Sequence, residues 1–203
     1  MSILIANCFH WVGFHLLNEL LDRGIEVAGI DALDTDRKEH LSMFIGRNSS
    51  FSFIDNSEAS NYETFIIIDN SDDIPSNFTS RKIKIGFGES REEKENIVHV
   101  HAPILYGEWM PMNEKGCLHQ ERFIDFDSEE FQSEAIYIGD FVKAFIQWLK
   151  VDNLPGHIEV RTKKNNEDQA LKLENSIYIR DNVPKEENLK RVLAHYRRYK
   201  EFY

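Results

Sequence analysis

The chain has 203 residues, of which 41% are hydrophobic and 12% aromatic, and its formal net charge is −11. This length gives one domain enough residues for a well-buried core, and the composition excludes a disordered chain. The acidic balance argues against nucleic acid and anionic membranes as partners, because both repel a negative surface. The two cysteines, Cys8 and Cys117, are far apart, which excludes a disulfide scaffold or a four-cysteine zinc site.

The sequence predicts no transmembrane helix, because it contains no run of roughly 18 apolar residues. The apolar N-terminal stretch is interrupted by Asn7, His10 and His15, and no Lys or Arg precedes it, which disfavours a secretory signal. We therefore expect a cytoplasmic protein. Its charge is unevenly distributed: residues 185–203 have six basic and three acidic side chains, a net of +3, so the remainder carries −14.

The first 31 residues predict a βαβ unit. An apolar strand at residues 3–6 is followed by a helix at 13–23 with a stripe of leucines, and Gly24 is placed to end that helix. A second apolar strand at residues 25–30 ends in Asp31. Both strands are continuously apolar, as expected for strands covered on both faces of a parallel sheet, and the crossover should be right-handed.

The alternation continues along the chain. After a polar helical link at residues 34–44, further strands are predicted at 51–54, 65–68, 83–87 and 97–101. Residues 104–134 have weak patterns and predict loops with at most one short strand. An amphipathic helix capped by Asp140, strands at 158–160 and 177–179, and a final helix starting at Pro184 complete the chain. The fold class is thus α/β, a Rossmann-like doubly wound parallel sheet of about six strands.

The first βαβ unit is where a dinucleotide would bind. Backbone N–H groups at a helix N-terminus bind a pyrophosphate, and an acid at the end of the second strand binds a ribose hydroxyl. Gly13 and Asp31 stand 18 residues apart in these positions. The loop that joins the first strand to Gly13 is Asn7-Cys8-Phe9-His10-Trp11-Val12.

In this loop and beyond it, the sequence resembles the extended short-chain dehydrogenase/reductases, the NAD-dependent nucleotide-sugar epimerase/dehydratase family. The matching segments, in chain order, are Gly13-Phe14-His15-Leu16-Leu17, Gly29-Ile30-Asp31, Asp55 after its strand, Ala102-Pro103-Ile104-Leu105-Tyr106-Gly107 and Ile136-Tyr137-Ile138-Gly139-Asp140-Phe141. The resemblance covers nearly the whole chain. It implies one Rossmann-like domain over residues 1–203, with a βαβ core at 1–107 and a reduced substrate-lobe-like part with a closing helix at 108–203.

The resemblance implies cofactor-binding roles for Gly13, Asp31, Asp55 and His10, and NAD as the cofactor if any is bound. Asn7 and His10 replace the first two glycines of the family pattern. The His10 imidazole should crowd the approach to a pyrophosphate, although a protonated imidazole could contact a phosphate. The large side chains of Phe9 and Trp11 either fill the cofactor groove or present a contact surface.

The family's catalytic Tyr and Lys, which the resemblance places on a helix between the fifth and sixth strands, are missing. No Tyr lies between Ile83 and Ile97, and that segment is too short for the helix. The family's diphosphate-binding Arg aligns with Ser133. The pair Tyr196 and Lys200 has the right spacing, but it lies on the last helix and we interpret it as a coincidence. No residue is therefore assigned a catalytic role.

Several other candidates are weaker than their structural alternatives. A metal site could be formed by His99, His101 and His119. The favoured alternative is that His99 and His101 are hydrogen-bonded imidazoles of a buried strand, so no metal is expected. Asp125, Asp127, Glu129 and Glu130 are typical of a solvated acidic loop. Cys8 would be a stabilised thiolate if the helix N-terminus acted on it, and otherwise a packed small residue. The basic last helix either docks with a solvated face or binds a partner.

The best functional hypothesis is a shortened, degenerate epimerase/dehydratase-like protein that acts as a non-catalytic binding or regulatory protein. Its partner would be a protein or a second copy of the chain, with neither nucleic acid nor membrane involved. The alternative is an active NAD-dependent oxidoreductase or epimerase with a relocated acid/base, for which His10, His101 and Tyr106 are the candidates.

Overall fold

The computed structural model of the chain describes residues 2–55, 58–59, 62–69, 81–88, 96–163 and 175–203. Most of the predicted loops at 70–82, 88–96 and 163–168 lie outside these residues. The chain divides into two compact units, Met1–Gly86 with Ser90–His99, and Phe87–Glu89 with Val100–Tyr203. Within the described ranges, no helix is both long enough and apolar enough to cross a bilayer.

The first unit is built on a parallel sheet with two helices. Its strands are β1 (Ile3–Ala6), β2 (Val27–Ile30), β3 (Phe51–Phe53), β4 (Thr64–Ile68) and β5 (Arg81–Gly86). Their spatial order is β5-β4-β1-β2-β3, so β1 lies between β4 and β2. Strand β6 (Ile97–His101) contributes residues to both units. The strands predicted from the sequence are confirmed, with ends that differ by one or two residues.

Continuous burial explains the apolar strands of this unit. Every residue of β1, β2 and β4 is buried, as expected for parallel strands with side chains packed on both faces. Ala6 pairs with Ile30 on one side and with Ile67 on the other. The carboxyl ends of these three strands therefore meet at one edge of the sheet.

Helices α1 (Trp11–Asp22) and α2 (Asp36–Ile45) follow β1 and β2. The leucine stripe of α1 is buried, and Gly24 after it has a φ of 72°, the left-handed conformation predicted for the residue that ends the helix. Thr35 begins α2, since its hydroxyl accepts a hydrogen bond from the Lys38 N–H at 3.3 Å.

The described part of the second unit contains two parallel strand pairs, a hairpin and three α-helices. Its elements are β7 (Leu105–Tyr106), β8 (Gly116–His119), β9 (Arg122–Asp125), α3 (Glu129–Glu134), β10 (Ile136–Tyr137), α4 (Ile138–Leu149), β11 (His157–Thr162), β12 (Ser176–Ile179) and α5 (Lys185–Arg198), followed by a short 3-10 helix (Lys200–Phe202). Strand β7 pairs with β10, and β11 pairs with β12, both in parallel.

Two predictions for this unit are wrong. The region predicted as mostly loop contains the β8–β9 hairpin and α3. The hairpin turn at Gln120 and Glu121 has φ values of 49° and 62°, a conformation that is usually predicted only where Gly or Asn is present. Asp140 does not cap α4. The helix begins two residues earlier, and the Asp140 carboxylate accepts hydrogen bonds from the Asn182 side chain at 2.5 Å and backbone N–H at 3.3 Å.

The predicted fold class is confirmed. The main sheet has eight strands where the sequence predicts about six, and it is mostly parallel with helices between its strands. This is a Rossmann-like α/β architecture.

Candidate functional site

The candidate site lies at the carboxyl end of β1. Because β1 lies between β4 and β2, the chain order reverses at this strand, and ligands of open parallel sheets bind at such reversals. Residues 7–10 connect β1 to α1 there, and Asp31 follows the neighbouring strand. All of these residues belong to the first unit.

Asn7 takes the backbone conformation that the family pattern gives to its first glycine. Its φ is 56°, in the left-handed region that Asn tolerates better than most residues. The Asn7 carboxamide donates to the Ile68 carbonyl at 3.2 Å, and the Asn7 carbonyl accepts from the His10 N–H at 3.0 Å. Loss of this glycine therefore preserves the tight turn.

Gly13 is required by close packing. A Cβ at this position would lie 2.7 Å from the Asn7 carbonyl oxygen and 2.9 Å from that of Cys8, closer than real contacts allow. Both neighbours are backbone atoms of the loop and have little room to move. Gly13 thus lets the start of α1 approach the backbone of the loop after β1.

His10 begins α1 and is neutral at physiological pH. Its Nδ1 accepts from the Val12 N–H at 3.4 Å, and its carbonyl accepts from the Phe14 N–H at 2.8 Å. Burial, together with the nearby charges of Arg37 and Lys38, lowers the pKa of His10 to about 3. This pKa opposes the predicted contact between a protonated imidazole and a phosphate.

Asp31 is buried, and its carboxylate already has three partners. One oxygen accepts from the Phe9 N–H at 2.7 Å, and the other accepts from the Ala32 N–H at 2.8 Å and from the Lys38 ammonium at 2.9 Å. Only 1% of the Asp31 side chain is exposed. With so little of the side chain exposed, a ribose hydroxyl could reach the carboxylate only if the groups around it moved.

Phe9 fills the space beside β2 and β3. Its side chain is 2% exposed, and its ring lies 6.0 Å from that of Phe51 and 5.9 Å from that of Phe53, centre to centre. Trp11 instead remains partly exposed at the start of α1, near the rings of His10 and His15. Of the two aromatic residues singled out in the sequence, Phe9 is therefore the buried one.

Lys38 is a site residue that sequence reasoning missed. From α2 it contacts Asp31 and also Asp34, both at 2.9 Å. Burial lowers the pKa of Lys38, but the two carboxylates outweigh burial and raise it overall, so the ammonium stays charged. The spacing of Asp34 and Lys38, four residues apart at a helix start, is the signal that could have indicated it.

The remaining candidates of this unit lie outside the cluster around Asp31. Asp55 is exposed after β3, and within the described residues no hydrogen bond or ion pair joins its carboxylate to the loop or to Asp31. Cys8 is fully buried, and burial and the charge of Asp31 raise its pKa well above the ordinary value. Cys8 is thus a packed thiol, not a stabilised thiolate. The cofactor-binding assignment of Gly13, Asp31, Asp55 and His10 stays a prediction.

In the second unit, the rings of Tyr106 and Tyr137 pack together. Tyr106 is fully buried, and its ring lies 5.6 Å from the Tyr137 ring, centre to centre. The Tyr137 hydroxyl donates to the Glu108 carboxylate at 3.0 Å, and the Arg191 guanidinium lies over its ring at 5.6 Å. Burial raises the pKa of both tyrosines, so both stay protonated.

Other predicted positions in this unit also have structural contacts. Ser133 lies in α3, where its hydroxyl donates to the Glu129 carbonyl at 2.8 Å, and Tyr196 is buried on α5. Among the described residues, no three His, Cys, Asp or Glu side chains are grouped to hold a metal.

Comparison with known proteins gives structural but no sequence relatives. No family model and no curated protein matches the sequence. Among solved structures, dTDP-glucose 4,6-dehydratase from Bacillus anthracis str. Ames, in complex with NAD, matches at 8% identity with a TM-score of 0.65 over 100% of this chain and 98% of that chain. Vestitone reductase from alfalfa (Medicago sativa L.) matches at 9% identity and a TM-score of 0.59, over 100% and 99%.

A third structure, the Bordetella bronchiseptica enzyme WbmG in complex with NAD, matches at 11% identity and a TM-score of 0.56, over 98% of this chain and 94% of that chain. Identities this low establish a common fold alone. The chain therefore shares the Rossmann-like fold of these three proteins.

Proposed function

We propose that this protein is a degenerate member of the extended short-chain dehydrogenase/reductase family that acts as a non-catalytic binding or regulatory protein. One observation carries the proposal. The carboxylate that would bind the adenosine ribose, Asp31, is buried and bonded to the Phe9 N–H and the Lys38 ammonium. The hydrogen-bond and ion-pair partners of this carboxylate thus come from the protein itself, which supports a role other than cofactor binding.

The lack of an acid/base supports the same proposal. Without the family's Tyr and Lys, proton transfer would need a substitute whose pKa lies near the working pH. His10 has its pKa lowered to about 3, which makes it a weak base, and Tyr106 is a buried phenol with a raised pKa. His101 is half-buried at the end of β6 and has no other argument in its favour.

The residues present do not fit NAD in this arrangement. Phe9 is packed against the rings of β3, and His10 stands where the family needs a bare glycine. We therefore derive no reaction step through a nicotinamide cofactor.

Binding of NAD and NADH to the purified protein tests the proposal. We expect no change in melting temperature at millimolar cofactor, while the B. anthracis dehydratase, whose structure contains NAD, should be stabilised in the same assay. A bound cofactor at about 100 times its dissociation constant would add about 2.7 kcal/mol to the free energy of unfolding.

Two variants show what an observed response would mean. The opposite outcome is a melting temperature that rises with NAD in the original protein but not in Asp31→Asn. This result would show that the site binds cofactor, and the alternative of an active NAD-dependent enzyme would replace this proposal. If the protein gives no response but Phe9→Gly/His10→Gly gains one, the two side chains are what closes the site. Turnover of a nucleotide sugar with NAD by the purified protein would also refute the proposal.

A further inference from the structure

Helix α5 presents a continuous basic stripe to solvent. Lys190, Arg191, Ala194, Arg197 and Arg198 are all exposed, and their spacing of one, four, seven and eight residues places them on one face of the helix. The opposite face is buried through Val192 and Tyr196. The stripe therefore has four cations, no acidic side chain between them, and a small residue at its centre.

The protein itself neutralises little of this charge. Among the described residues, the one carboxylate paired with the stripe is that of Glu114, 3.6 Å from Arg197, and both side chains are more than half exposed. Exposed pairs of this kind contribute about 0–1 kcal/mol. The stripe thus remains a positive surface on a chain whose net charge is −11.

Helix stability alone accounts for only part of the stripe. Cations in the last turn interact favourably with the helix dipole, which explains Arg197 and Arg198. Lys190 and Arg191 lie in the middle of α5, about two turns before its end, where the dipole effect has vanished. Glu186 and Glu187 precede them by four residues, a spacing that adds only about 0.2–0.5 kcal/mol per pair to helix stability, and among the described residues neither carboxylate makes an ion pair with them.

Two guanidinium groups of the stripe are held in place. Arg191 donates to the Asn188 side-chain oxygen and lies over the Tyr137 ring, and Arg198 lies 5.3 Å from the Tyr199 ring centre. A guanidinium ordered in this way loses less entropy when it binds a carboxylate through two parallel hydrogen bonds. The two side chains are seven residues apart, or about 10 Å along the helix axis.

We infer that this stripe (Lys190, Arg191, Ala194, Arg197 and Arg198) is the docking surface for an acidic helical segment of a protein partner. Carboxylates that recur every seven residues on a helix match the 10 Å repeat, and Ala194 lets two helices approach closely. A long polyanion, such as nucleic acid or a membrane surface, would also meet the −14 of the remaining chain, whereas a short segment meets mainly the stripe. The inference adds a partner class to the proposed function and does not depend on whether NAD binds.

The test uses a labelled helical peptide with glutamate pairs at seven-residue spacing and the same peptide with glutamines instead. We expect the full-length protein to bind the glutamate peptide, with affinity falling as salt rises from about 50 to about 200 mM, and not to bind the glutamine peptide. Lys190→Glu/Arg197→Glu should weaken binding at least about tenfold.

Lys143→Glu/Lys150→Glu is the matched control. Both lysines are exposed, are also seven residues apart, and lie at helix α4 and its C-cap, so this variant makes the same change in net charge elsewhere. It should weaken binding less than about threefold. Thermal melting checks folding, and if the charge reversal on α5 unfolds the protein, Lys190→Gln/Arg197→Gln takes its place with the same expected direction.

Four results would overturn the inference. Two concern the peptides: the two double variants weaken peptide binding equally, or the glutamate and glutamine peptides bind equally well. The other two are tighter binding of a single-stranded oligonucleotide or phosphatidylserine vesicles than of the glutamate peptide, and self-association of the protein that the α5 variant abolishes. Because none of these measurements involves NAD, their failure leaves the proposed function to its own test.

Discussion

The loop at the end of β1 and the tyrosine cluster of the second unit both lie on segments that resemble one enzyme family, and they differ in what holds them. In the loop, Phe9 is buried among aromatic rings, and Gly13 lets the helix lie against backbone atoms. In the second unit, hydrogen bonds between side chains connect its elements, with the Tyr137 hydroxyl bonded to Glu108 and Asp140 bonded to Asn182.

This difference teaches that a residue type matching a binding motif can also be explained by the contacts that hold the fold. Gly13 and Asp31 keep the family's residue types, but one serves packing and the other bonds to Phe9 and Lys38. Tyr106 and Tyr137 also keep their types, and burial holds both phenols in the protonated form. The predictions below test packing in the first region against hydrogen bonding in the second.

The largest effect is expected for Gly13→Ala. The new Cβ would press on the carbonyl oxygens of Asn7 and Cys8, so we expect the free energy of unfolding to fall by about 3 kcal/mol. Urea unfolding measures it. Gly86→Ala, where a Cβ meets nothing within 4 Å, is the control and should change stability by less than about 0.5 kcal/mol. Similar losses at the two positions would show that packing does not hold the loop.

Next in size is Lys185→Met in the second unit. The buried ammonium donates to the carbonyls of Phe131 and Gln132, both at 3.0 Å, and removing it leaves those carbonyls without this donor. We expect a loss of about 2 kcal/mol in urea unfolding. Lys190→Met on the same helix is exposed and should cost less than about 0.5 kcal/mol. Equal losses would count against a polar basis for this region.

A smaller effect concerns the pH dependence of the first region. The pKa of His10 is about 3 in the folded protein and about 6.5 when unfolded, so the unfolded chain binds a proton that the folded one does not. Stability is therefore full above pH 6.5 and falls as the pH drops towards 3. Because the side chain is partly exposed, we expect a loss of about 1 kcal/mol between about pH 7 and 5.

Unfolding of His10→Asn across this pH range checks the assignment, since Asn still accepts a capping hydrogen bond but does not titrate there. We expect the pH dependence to flatten. His157→Asn, which changes an exposed histidine, should leave it as in the original protein. An unchanged slope in the His10 variant would assign the titration to another group.

The smallest effect is expected for Tyr203→Phe. The Tyr203 hydroxyl accepts from the Trp109 N–H at 2.8 Å and lies 2.6 Å from the His195 Nδ1, while its ring stacks on Trp109. The variant keeps the stacking and loses the hydrogen bonds, so we expect a cost of about 0.5–1 kcal/mol in thermal unfolding. Tyr178→Phe, whose hydroxyl makes no hydrogen bond among the described residues, should cost nothing measurable.

Regular elements were predictable where their signals are local. The apolar runs of β1, β2 and β4 and the glycine after α1 identify the βαβ unit, because burial on both faces and a left-handed helix end each demand particular residue types. The β8–β9 hairpin was missed because Gln120 and Glu121 adopt positive φ without a local signal. There the pairing of the strands overrides the preference of the turn residues.

Sequence by itself determined the fold class, the first βαβ unit, and the residue types in the loop of that unit. Tertiary structure decided whether those residues are open to a ligand. The sequence predicts that Asp31 is a ribose-binding acid. In the structure, its carboxylate forms an ion pair with Lys38, seven residues later, and accepts a hydrogen bond from the Phe9 N–H. The reason is that strand and helix periodicity are set by near neighbours in the chain, whereas the hydrogen-bond and ion-pair partners of a buried carboxylate come from several elements.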